Sequence, residues 1–196
     1  LILNTMKVEK LIGAAPYSTL ADLKNAASND FFTHKITFDY TDFNDVTNAL
    51  TKTINPKLYK NASGAEKGLL KGVYVADFVF RLKTNFSGLS NIQTNGTGAV
   101  IDIGISGDGD KLIDAEDTSP TVSAIPLFKA FADEGDGDAF GFIVNGDTDI
   151  LITLTCAVSS GSDKLNALTA GEAELYLKLV NVNDLVTEGA WATVTL

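Results

Sequence analysis

A chain of 196 residues with 45% hydrophobic residues is long enough to bury about 70% of its unfolded surface in a core of its own. Its single cysteine, Cys156, excludes an intramolecular disulfide and a cysteine metal cluster, and no stretch approaches the ~18 consecutive apolar residues of a membrane span. The net charge of −10 argues against duplex nucleic acid as a direct partner, because neutralising phosphates requires a basic face.

Residues 1–30 read as an N-terminal arm and residues 31–196 as one domain. The start, Leu1-Ile2-Leu3-Asn4-Thr5-Met6-Lys7, has no basic segment leading into an apolar one, so no signal peptide is expected. Thr19-Leu20-Ala21-Asp22 has the spacing of a capping box and predicts a short helix over about 19–27. The arm either docks on a neighbouring molecule or packs as the first edge of its own domain.

From Phe31 onward the pattern turns to strands. Ile36, Phe38 and Tyr40 alternate with Thr37, Asp39 and Thr41, as in a strand with one buried face. A polar connection over 44–71 follows, with a turn at Asn55-Pro56, a loop at Asn61-Ala62-Ser63-Gly64 and room for a strand over 49–54. In the stretch from Gly72 to Asp110, Tyr74, Ala76, Phe78, Phe80 and Leu82 fall on one face and are assigned to the core, while Asp77, Arg81 and Lys83 fall on the other. Ala99 to Ile105 forms the next strand, bounded by Asn95-Gly96-Thr97-Gly98 and Ser106-Gly107-Asp108-Gly109-Asp110, both turn chemistry.

Lys111 to Pro126 reads as acidic and irregular, and Leu127 to Phe131 as short and apolar. Further strands are predicted over 139–145, 150–158, 172–182 and 191–196. In the third of these, Ala173, Leu175, Leu177 and Leu179 face inward while Glu172, Glu174 and Lys178 face out. Seven or eight such strands with almost no helical pattern predict an all-β fold, an antiparallel β-sandwich or jelly roll.

The chemistry-bearing residues are sparse. Cys156 shares a face with Ile150, Ile152, Leu154 and Val158, which makes it a buried structural thiol, since a reactive thiolate needs an exposed electropositive setting. His34 is the only histidine, and no nucleophile, zinc or phosphate-loop motif accompanies it. The Gly-Asp-Gly-Asp tracts at 107–110 and 135–138 supply oxygens of the kind calcium prefers. Their spacing matches a calcium loop only in part, and Gly-Asp is also hairpin-turn chemistry. Tyr74, Tyr176 and Trp191 could stack on sugar rings, or serve as core and interface. No catalytic, cofactor-binding or metal residue is assigned, and no cofactor is expected.

Charge is unevenly placed. Residues 101–150 carry twelve acids and two bases, whereas 51–100 carry seven bases and two acids. Complementary segments of this kind either set register between copies and partners or form a solvated surface.

The order of elements carries a resemblance over about residues 36–182. An aromatic strand (Tyr74 to Leu82), Thr84-Asn85-Phe86-Ser87-Gly88, then Val100-Ile101-Asp102-Ile103-Gly104-Ile105-Ser106-Gly107-Asp108-Gly109-Asp110, an acidic loop and a late strand through Leu168-Thr169-Ala170-Gly171-Glu172 resemble the head decoration, or cement, proteins of tailed bacteriophages. That resemblance implies a homo-oligomer, often a trimer, on the virion surface, made in the host cytoplasm. It implies the major capsid protein as partner, with no nucleic acid, membrane or enzymatic activity. On this expectation the basic 52–83 segment and the acidic 102–149 segment meet across subunit or capsid contacts. A tail or baseplate β-domain and a carbohydrate-binding sandwich are the alternatives.

Overall fold

The computed structural model describes residues 6–10, 32–47, 49–88, 99–117, 127–130, 141–156 and 164–182; for 7–10, 115–117 and 127–130 it describes the backbone alone. The predicted helix at 19–27, the strand at 191–196 and the tract at 135–138 lie outside these residues. The elements are β1 (Lys7–Lys10), β2 (His34–Asp39), β3 (Thr51–Ile54), β4 (Tyr59–Lys60), β5 (Glu66–Lys67), β6 (Val73–Ser87), β7 (Ala99–Ile105), β8 (Asp108–Asp117), β9 (Leu127–Ala130), β10 (Phe142–Ile143), β11 (Ile150–Cys156) and β12 (Ala170–Asn181). Every pairing is antiparallel.

One sheet runs β1-β2-β12-β6-β10, with β9 also on β6, and a second runs β3-β11-β7-β8. The pairings are nested. β2 meets β12 in the first sheet, β3 meets β11 in the second, β6 meets β9 and β10 in the first, and β7 meets β8 in the second. A long hairpin wrapped across two sheets in this way is a jelly roll. The expected all-β sandwich is therefore what the chain adopts.

The two inner faces share a single core. Ile36, Phe38, Phe78, Phe80, Leu82, Ala173, Leu175 and Leu177 come from the first sheet, while Ile101, Ile103, Ile113, Ile150, Ile152 and Leu154 come from the second. Phe43 closes one end, edge-to-face against Phe38 and Phe86 with centroids 6.0 Å apart in both pairs. At roughly 1.5–3 kcal/mol per buried large apolar side chain, this cluster is the main favourable term of folding.

Two expectations from the sequence are corrected, and two are extended. Tyr74 and Ala76 are half-buried, and it is Val73 and Val75 that enter the core. The reason is a bulge: Lys178 pairs with Asp77 but Leu179 with Val75, so Ala76 is an extra residue that reverses the face of everything before it. The segment Asp108–Asp117 is a ten-residue edge strand, where irregular chain was expected from Lys111 on. Its carboxylates are the charges that keep an open edge from pairing with foreign strands. The polar connection at 44–71 contains a β4–β5 hairpin, turned by Asn61, whose Oδ1 accepts from the backbone of Ser63 and Ala65. Finally, β12 is a central strand, and Glu174 on its outer face is only 6% exposed.

Gly171 shows why β12 begins as it does. Its φ is +145°, and a Cβ there would lie 2.5 Å from the Phe86 ring, so only glycine fits the bulge that lets β12 cross Phe86.

Candidate functional site

The outer face of the first sheet carries the densest polar arrangement among the described residues. Because β12 lies between β2 and β6, register sets Glu174 beside Thr37 on one side and Arg81 on the other. Its carboxylate is 3.3 Å from the Arg81 guanidinium, 3.7 Å from the Lys83 ammonium and 3.9 Å from that of Lys35. The Tyr176 hydroxyl donates to it at 2.8 Å. Lys83 also pairs with Glu172, an interaction that raises the Lys83 ammonium above its ordinary value.

Burial pushes the Tyr176 phenol up, and the hydrogen bond to Glu174 adds to that shift. The Tyr176 ring packs against Phe32 with centroids 5.8 Å apart. One buried anion held by several cations and a hydroxyl offsets its desolvation only while the set is intact. Chemically this is three cations set around two carboxylates. It ties three strands together.

A second cluster lies where β11 begins. Lys57 binds Asp149 at 2.8 Å, the Asn61 amide donates to Asp147 at 3.0 Å, and the backbone N–H of Lys71 donates to the same carboxylate at 3.1 Å. Those bonds hold both carboxylates below their ordinary value near 3.8, the Lys71 N–H acting most on Asp147 and the Lys57 ammonium most on Asp149. One ion pair, Lys57 with Asp149, thus joins the basic and acidic segments within the chain.

A third arrangement holds Met6 at the entry to β1. The Asp42 carboxylate accepts from the backbone N–H of Met6 at 3.0 Å and of Asp39 at 2.9 Å. Burial, the largest influence, pushes the Asp42 carboxyl above its ordinary value.

The structure disperses the other sequence candidates. Of the tract at 107–110, Gly107 sits in the β7–β8 turn at φ +95° while Asp108, Gly109 and Asp110 open β8, with Asp108 facing Lys111 at 3.4 Å. Among the described residues no group of three or more His, Cys, Asp or Glu side chains is placed to hold a metal ion. His34 is buried at the start of β2, with Nδ1 2.9 Å from the Thr33 hydroxyl and its ring edge-on to Tyr59. Cys156 is buried at the end of β11, as its spacing predicts.

A cavity of about 290 Å³ at one end of the sandwich is lined by Tyr59, Leu70, Lys71, Val73, Leu179 and Asn181 among others. Burial raises the Tyr59 phenol, so it stays protonated at neutral pH. The Glu174 cluster escaped sequence reasoning because its members come from three separated strands. Alternating charge in β6 and β12 was the only available signal.

Fold and surface together define an all-β jelly-roll sandwich braced by ion pairs. The chain matches no protein-family model, no curated protein and no solved structure.

Proposed function

We propose that this chain is a structural protein of a phage virion, a decoration protein that binds the outer surface of the capsid shell as a homo-oligomer and stabilises it. The observation that carries the reading is the jelly roll with its interior filled by apolar side chains and its outer sheet face locked around Glu174. Viral capsid domains, lectins and cupins share that architecture. Lectins and cupins, however, build a ligand site on it, and among the described residues the densest charged cluster, around Glu174, links neighbouring strands. The resemblance over residues 36–182 points the same way. A rigid body of this kind gains affinity on a lattice through many simultaneous contacts rather than through one deep pocket.

Lys57 is paired internally with Asp149, whereas Lys60 and Lys71 of the same segment are exposed, so an electrostatic shell contact through them is expected to weaken as salt rises. Sedimentation with empty shells of the phage that encodes the protein tests this. Saturable co-sedimentation and a higher shell melting temperature are expected; protein left in the supernatant at every concentration refutes the reading.

A further inference from the structure

We propose that the outer edge of β2 is a strand-accepting site that takes β1 from a second copy of the chain, joining copies through exchanged N-terminal strands. This rests on the homo-oligomeric reading above. Among the described residues β1 has one neighbour, β2, paired from Lys7 opposite Thr37 to Lys10 opposite His34. Its entry is pinned by the Met6 N–H on Asp42, whose carboxylate is itself fixed by the Asp39 N–H. All of these acceptors belong to the sandwich, and in sequence residues 11–33 link β1 to β2.

Neighbouring antiparallel strands are usually joined by about 2–5 residues. A connection over 11–33 spans roughly 75–80 Å when extended, at ~3.3–3.6 Å per residue. A compact chain of this length has a radius of gyration of only about 16 Å. The covalent link therefore does not decide which copy fills the edge, and the same ladder and the same Asp42 contact form in either case. Pairing within one chain competes at an effective concentration on the order of a millimolar. Copies held side by side on a surface reach that range, so exchange is favoured there and disfavoured in dilute solution.

Cysteines at the register partners Glu9 and Lys35 read the exchange directly, and native Cys156 is buried and does not compete. In the double variant Glu9→Cys/Lys35→Cys at micromolar concentration, oxidation is expected to close the disulfide within one chain. An equimolar mixture of the two single variants is expected to give covalent dimers at millimolar concentration or on shells, with the yield cut severalfold by Asp42→Ala. Closure of the double variant with no dimer from the mixed singles under any condition overturns exchange. So does failure of the double variant to close at all, since β1 is then not on β2. Shell binding is scored separately by sedimentation, so loss of exchange with binding retained refutes this inference alone.

Discussion

The outer faces of the two sheets solve the same problem with different chemistry. On the first, β2, β12 and β6 are tied by ionised groups around Glu174, whose side chain keeps 8% of its exposure. On the second, β3 and β11 are tied by hydroxyl pairs, Thr51 with Thr155 at 3.2 Å and Thr53 with Thr153 at 2.9 Å, the β3 members exposed and the β11 members half-buried. A hydroxyl pair in water is replaceable by water at little cost, whereas an ion set withdrawn from water fails when one member goes. The first face is therefore the rigid one, and the second tolerates change.

Four substitutions sharpen that contrast. Phe80→Ala sets the scale for losing the shared core and is expected to lower unfolding free energy by about 3–5 kcal/mol in urea titration. Glu174→Ala removes the carboxylate that Lys35, Arg81 and Lys83 share, leaving Lys83 its pair with Glu172, and is expected to cost about 1–3 kcal/mol by the same measurement; a neutral result would mean that the cluster braces nothing. Lys57→Ala, at the half-exposed Asp149 pair, is expected to cost about 0.2–1 kcal/mol. Thr53→Ala on the second face is expected to cost no more than a few tenths of a kcal/mol, at the low end for cross-strand pairs. A Thr53→Ala loss equal to that of Glu174→Ala would erase the distinction.

Acid sharpens the contrast further. Asp147 and Asp149 are held below 3.8 in the folded chain, so they add stability above that pH, and the contribution is lost as pH falls through their lowered values. Asp42 is raised and acts oppositely: its contribution is full below about 3.8 and is lost as pH rises through its folded value. Melting temperatures from pH 3 to 7 are thus expected to fall less steeply at the acid end for Asp149→Asn than for the parent chain. An unchanged acid slope would show that Lys57 does not hold Asp149 in solution.

Much of the frame was legible because alternation is a local property. Ile150, Ile152, Leu154 and Cys156 in β11, and Ala173, Leu175, Leu177 and Leu179 in β12, enter the core as their spacing predicts. What failed was also physical. One extra residue at Ala76 moved Tyr74 out of the core, and a bulge leaves no mark in a two-residue period. The acids of β8 read as loop because an edge strand with charged faces has the composition of a loop. The Glu174 cluster depends on which strands become neighbours, information that lies in long-range register.

The central claim is that this sandwich serves as a rigid part of a particle. The proposed place on a phage capsid is tested most directly by cryo-electron microscopy of the particles at a resolution that separates strands. The account predicts jelly-roll density in repeated copies on the outer surface of the capsid shell, with the Glu174 face and the β2 edge in defined contacts. Particles that lack the protein, or carry it only on the tail, would contradict it.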